Sequence, residues 1–484
     1  MPTIRCRSLW TGTGSCLSHV AVHIDDCGMI TTIEKCHSAV FDYNFAMPSF
    51  VDAHVHCTWM VAKEASLDLS RVRSSDEFLS LVHSAVVCAG HRIVRGESFD
   101  ESDWTNSDLP TLSQLDSVTG NVPVFLRRVC GHAALVNSAM LRLMVMVMDP
   151  DMSGVNKSTG VLKEWPVLNF EKMFPLPDEV LVDAASRVQS MIYSKGVTAV
   201  RTFESVHNTE SVQDLYPGLD VSVTVIVDNF EELPALDFPL KVVKLFLDGA
   251  FGAGNAALLH PYADGSVGDL HYTDEELLAL FVRCGKTGHS VAAHAIGGEA
   301  LRQLDRVSNE AFRLLGNGFN VRIEHAEDLL SAWPGTWNPE YHIFSMQPNF
   351  VERWQRPEGM YDRILPLEQS FLLNPFRTVL DAGFRLGFGS DCMPLDPLYG
   401  LRGAVQHRNS SESLSMEEAL YAYTLDAAFI SGLSQLAIPL GRGRTADMVF
   451  LSGTPFEGLE GITVEATMKN GNIVFENNVS VEGI

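Results

Sequence analysis

Two histidines one residue apart, His54 and His56, close a short apolar run that includes Phe50, Val51 and Ala53. Alternate residues of an extended strand face the same side, so both imidazoles should point one way while Val55 points the other. Three more groups end runs of the same kind. His294 follows Ser290-Val291-Ala292-Ala293, His325 follows Val321-Arg322-Ile323-Glu324, and Asp391 follows Leu386-Gly387-Phe388-Gly389-Ser390. Imidazoles and a carboxylate are the ligands of a catalytic divalent cation; Zn²⁺ suits them best and lowers the pKa of bound water. Singly, each has a plainer reading: His294 and His325 as hydrogen-bonded core histidines, Asp391 as a turn or cap residue ahead of Pro394. Their recurrence at strand ends argues for one site.

Lys244, in Val242-Val243-Lys244-Leu245-Phe246-Leu247-Asp248-Gly249, ends another apolar run. A buried ammonium is costly and cannot bind a metal. A carbamate on its nitrogen would turn it into an anion able to bridge two ions. Glu324 directly precedes a candidate ligand and would face the opposite side of a regular strand, a supporting place rather than a catalytic one. Cys57 and Cys392 directly follow candidate ligands but read as small buried hydrophobes.

Groups so far apart in the chain need an architecture that gathers strand ends, and a barrel does so around one pocket. Strand-like segments are expected at 49–56, 196–202, 222–227, 241–247, 290–294, 320–325, 343–347 and 385–390. Helices are expected at 273–287, 298–315 and 414–431, an alternation that indicates an α/β fold. The gap from 57 to 193 exceeds a simple crossover. It implies a long insertion at about 60–190, with a strand near 122–129, expected to cover the pocket mouth and govern the substrate. β-rich pieces at 1–48 and 438–484 should pair into a composite β-sandwich domain, leaving 49–437 for the barrel.

Bulk properties narrow the function. The chain has 484 residues, 46% hydrophobic and 20% charged, with a formal charge of -25. No basic block offsets that charge, which disfavours nucleic acid and anionic membranes and favours a small-molecule substrate. Nine cysteines without a CxxC pair, no secretory leader and no long apolar run suggest a reduced, cytoplasmic protein.

These motifs closely resemble the amidohydrolase superfamily, in particular amidohydrolase family 3 with its N-substituted formamide deformylase-like metal-dependent hydrolases. Besides the ligand runs, the resemblance rests on Arg128, Gly131, His132, Asn137 and Ser138, on Lys244 through Gly249 with Ala256-Ala257-Leu258, on Met346-Gln347-Pro348, and on Gly441 through Asp447. It implies a distorted TIM barrel with a composite β-sandwich from both termini. It also implies a centre of one or two Zn²⁺ ions, two favoured, with His54 and His56 on the more buried ion and His294 and His325 on the other. Lys244, carboxylated, would bridge, with Glu164 the alternative bridging carboxylate. Asp391 would bind metal and carry the proton. A homodimer is also implied.

The expected reaction is hydrolysis of a C–N bond in a small amide-like substrate by a metal-activated hydroxide. His132 would polarise or orient the substrate, Arg127 or Arg128 would bind an anionic part, and Asp248 and Trp354 would line the pocket. Heterocycle deamination, cyclic-amide or ester hydrolysis, and a degenerate small-molecule binding protein are the alternatives. Two departures from the family pattern matter. Gly298 stands where an Asp is usual, and Gly252-Ala253-Gly254-Asn255 replaces a stretch that commonly carries a cation.

Overall fold

A computed structural model describes residues 2–89, 92–101, 104–105, 108–129, 131, 133–147, 154–163, 165–227, 230–235, 241–316 and 318–477. Eight strands lie in chain order in one parallel sheet: β1 (Phe50–Val55), β2 (Val197–Ser205), β3 (Asp220–Ile226), β4 (Val242–Phe246), β5 (Ser290–Ala295), β6 (Val321–His325), β7 (His342–Met346) and β8 (Leu386–Phe388). Their β-branched and aromatic residues suit a sheet covered on both faces, and β1 and β6 are buried along their whole length. The sheet curls back on itself. Ser390 N–H donates to Asp52 Oδ1 at 2.9 Å and Asp391 N–H to the His54 carbonyl at 2.8 Å, tying the end of β8 to β1. Gly389 permits this approach, because a Cβ there would lie 2.4 Å from the His54 nitrogen.

Helix α1 (Asp274–Lys286) connects β4 to β5 and starts with a capping box between Thr273 and Glu276. Helix α2 (Gly298–Leu315) connects β5 to β6 and buries the stripe Leu301, Leu304, Val307 and Ala311. The helix expected over 414–431 is two helices, α3 (Met416–Tyr423) and α4 (Leu425–Ile430). Thr424, at φ -123° and ψ -90°, leaves the helical region and breaks it.

Both termini build a second, seven-stranded sheet. Tyr43–Pro48 from the N-terminal part pairs antiparallel with Met448–Leu451 from the C-terminal part, around a core that includes Cys6, Val22, Ile30, Phe450 and Met468. This sheet and the barrel belong to one compact unit, Met1–Cys57 with Gln189–Ile484; Thr58–Val188 form another. The second unit carries a six-stranded sheet that includes Val124–Arg128, with Phe78, Phe99, Trp104, Leu115 and Leu126 in its core. No helix among the described residues is long and apolar enough to cross a membrane.

Candidate active site

The C-terminal ends of β1, β5, β6 and β8 bring the expected histidines and aspartate together. One ligand atom each from His54, His325 and Asp391 lie within 4.8 Å of one another. Asp391 Oδ1 is 3.2 Å from His56 Nε2 and 3.8 Å from His54 Nε2. The His325 ring centroid is 4.9 Å from that of His54 and 4.6 Å from that of His294. Lys244 is buried beside them, its ammonium 4.3 Å from the centre of the Phe203 ring and 5.3 Å from that of Phe246. Phe203 in turn packs 4.1 Å from the His54 ring.

Two strand ends leave regular geometry to make this arrangement. His325 and Ala326 have φ of 73° and 51°, and Asp391 and Cys392 have φ of 49° and 60°. Non-glycine residues occupy this left-handed region only where surrounding structure holds them there. Here Ala326 N–H bonds the Ala295 carbonyl and Asp391 N–H bonds that of His54. The turn at His325 also corrects the expectation for Glu324. Strict alternation would send Glu324 away from the ligands, but its Oε2 lies 2.7 Å from His54 Nδ1.

Electrostatics prepares the imidazoles for a cation. Burial pushes the pKa values of His54 and His325 well below the ordinary histidine value and that of His294 down to about 3, with Lys244 adding to the shift in His54 and His294. Near pH 7 these rings are neutral. His325 Nδ1 donates to Gln347 Oε1 at 2.8 Å and His294 Nε2 donates to the Gly249 carbonyl at 2.9 Å, leaving lone pairs on His325 Nε2 and His294 Nδ1. His56 behaves differently: burial opposes its charged form, but the hydrogen bond and charge of Asp391 outweigh it and raise its pKa. Burial, helped by Arg322, lowers the Lys244 pKa to about 8. Neutral nitrogen donors converging with a carboxylate fit a divalent ion such as Zn²⁺.

The remaining candidates are placed variously. Asp248 is buried and accepts main-chain N–H groups of Ala257, Ile296 and Gly297 at 3.0, 3.1 and 2.8 Å. It fastens the segment after β4 to the end of β5, beside His294 at 3.7 Å. Trp354 is half-buried in an aromatic row: Phe350 stacks 6.1 Å from His325, Trp354 lies 4.7 Å from Phe350, and Tyr361 lies 6.2 Å from Trp354. In the Thr58–Val188 unit, Arg127 pairs with Glu97 and Glu171, and Arg128 with Asp100 and Glu101. Those carboxylates already match both cations. His132 and Glu164 lie outside the described residues.

Residues 44–475 match the Amidohydrolase family. The chain belongs to the amidohydrolase family. It is 27% identical to YtcJ of Bacillus subtilis (strain 168) over 489 residues, covering 89% of each protein. It is 25% identical to the N-substituted formamide deformylase of Arthrobacter pascens, covering 85% of this chain and 84% of that enzyme. An uncharacterized metal-dependent hydrolase from Pyrococcus furiosus shares the fold, with TM-score 0.75 and 24% identity over 94% of this chain and all of that one. The family supports metal-dependent hydrolysis of C–N bonds in general terms.

Three further residues shape the site without having been named as candidates for it. Gln347, on the turn after β7, fixes the His325 proton, and Phe203, at the end of β2, packs between Lys244 and His54. Asp52 accepts N–H bonds from His54 and Ser390, which sets the seam between β1 and β8. Asp52 could have been found from its place two residues before His54 on the strand; the other two depend on which strands become neighbours.

Proposed function

We propose that this amidohydrolase cleaves the C–N bond of a small amide-like substrate at a centre held by His54, His56, His294, His325 and Asp391. The observation that carries the reading is the convergence of His54, His325 and Asp391 within 4.8 Å. A divalent ion bound there, Zn²⁺ by its donor set, would supply Lewis acidity toward water and toward a carbonyl oxygen. Asp391 accepts the proton of the attacking water and returns it to the departing nitrogen; its partial exposure beside His56 suits that traffic. Lys244, with a pKa of about 8, offers an appreciable fraction of free amine near neutral pH. Attack of that amine on CO₂ forms an N–C bond, releases a proton and leaves a carbamate that would add two oxygens to the ligand set, enough for a second ion.

The surroundings favour an apolar group on the substrate. Phe350 and Tyr361 are buried, so in the aromatic row beside His325 the half-buried Trp354 is the ring open to such a group. The Gly252–Asn255 segment brings no cation, and Asn255 turns back to accept the Ala250 N–H at 2.9 Å. Among the relatives, the Arthrobacter pascens protein is named for deformylation of N-substituted formamides, so that class heads the trial. Purified protein should contain zinc and turn over an N-aryl or N-alkyl formamide, lose that turnover to a chelator and regain it with zinc. Retention of no divalent ion, or no turnover of N-formyl, N-acyl, cyclic-amide and amino-heterocycle compounds by the zinc-loaded protein, refutes the reading.

A further inference from the structure

We propose that Arg322 and Glu324 form a tautomer lock that keeps the His54 proton on Nδ1 and so leaves the Nε2 lone pair free for a metal. The inference rests on the metal-site reading above. Glu324 Oε2 lies 2.7 Å from His54 Nδ1, and Glu324 Oε1 lies 2.5 Å from Arg322 Nε. Arg322 is itself immobilised: Nη1 donates to the Ile430 carbonyl at 3.0 Å, and Nη2 donates to Ser345 Oγ at 2.8 Å and to the Ala53 carbonyl. All three side chains are nearly inaccessible to bulk water.

The donor and acceptor identities leave one consistent pattern. A guanidinium only donates, so the carboxylate oxygen facing it must accept. Arg322 Nη2 donates to the other carboxylate oxygen, Oε2, at 3.4 Å, so that oxygen also accepts, and the imidazole nitrogen facing it must carry hydrogen. A neutral imidazole has one N–H, so Nε2 is the unprotonated atom, and it is the one 3.8 Å from Asp391 Oδ1. Arg322 also donates to the carbonyl of Ala53, adjacent to His54, so it steadies both the ring's partner and the strand carrying the ring.

Glu324→Gln tests this at almost constant shape. The amide should turn its carbonyl oxygen to Arg322 Nε, because an NH₂ 2.5 Å from Nε opposes donor to donor far more closely than one 3.4 Å from Nη2. The NH₂ then faces His54 Nδ1, forces that atom to accept, and moves the proton to Nε2. Nitrogen-15 NMR of the metal-free protein, with the His54 signal assigned by its loss in His54→Asn, should place the proton on Nδ1 in the wild type and on Nε2 in Glu324→Gln. Zinc affinity, read by competition with a chelating dye, should fall about 10–100-fold in Glu324→Gln. Glu324→Asp, which keeps an acceptor, should recover part of it. A wild-type proton on Nε2 overturns the lock whatever the variants do, as does wild-type zinc affinity in folded Glu324→Gln. Absence of zinc binding by the wild type would instead sink the metal-site reading, while the metal-free spectrum still judges the lock.

Discussion

Asp391 Oδ1 stands 3.2 Å from Nε2 of His56, so the carboxylate following the last barrel strand faces the second histidine of the first. The contact depends on the left-handed backbone at Asp391 and on its N–H bond to the neighbouring ligand's carbonyl. Closure of the barrel and assembly of the site are therefore the same event. The candidate ligands contributed by the two ends of the sheet meet only if the seam between β8 and β1 forms.

Asp391→Asn separates proton transfer from architecture. Asn tolerates left-handed backbone well, and the N–H bond to His54 survives. Turnover should fall by about 10²–10⁴-fold, with the melting temperature of the metal-free protein little changed. Wild-type turnover in a metal-replete preparation would remove Asp391 from the proposed proton path.

Metal uptake should release protons. In the metal-free site Asp391 raises the His56 pKa, so any proton on the His56 ring must leave before that nitrogen can serve as a ligand. Zinc affinity should weaken as the pH falls below the His56 value. Calorimetric titrations in two buffers of different ionisation heat should show the release; identical heats in both would contradict it.

His342 offers a test of acid sensitivity away from the ligands. It sits at the start of β7, where Asn338 N–H donates to its Nδ1 at 3.0 Å and Nε2 contacts Ser308 Oγ at 2.8 Å. Burial lowers its pKa to about 3. Between about pH 6.5 and that value the unfolded chain binds a proton that the folded chain excludes, so stability drops as pH falls, by about 1.4 kcal/mol per pH unit for one such group. His342→Asn should be less stable than the wild type at pH 7, with the gap narrowing at pH 5. A gap constant across that range, read from thermal melts, would refute the assignment.

Gly389→Ala should break the seam. The added Cβ would lie 2.4 Å from the His54 nitrogen and 2.6 Å from its Cβ, and backbone cannot yield cheaply there. We expect a loss of about 1–3 kcal/mol in stability together with weakened zinc binding. Stability loss with unchanged zinc affinity would show that the site tolerates displacement of β8.

Much of this was legible along the chain because it depends on local periodicity. All eight barrel strands lie within a few residues of their expected positions, and the two histidines of the first strand end do address one site, as a two-residue repeat requires. Periodicity misled at Glu324, because the left-handed turn at His325 suspends alternation where the strand meets the pocket. It also overran at 414–431, where Thr424 divides the helix.

The sequence by itself determined the strand-and-helix rhythm, the residue types proposed as ligands and the family, since these follow from side-chain chemistry and near-neighbour spacing. Tertiary structure decided which partner each ligand has: Asp391 against His56, Glu324 on His54, Gln347 on His325, and Arg127 and Arg128 on nearby acids. Those pairings join residues tens to hundreds of positions apart. Their distances are set by strand register and barrel closure, which no local pattern encodes.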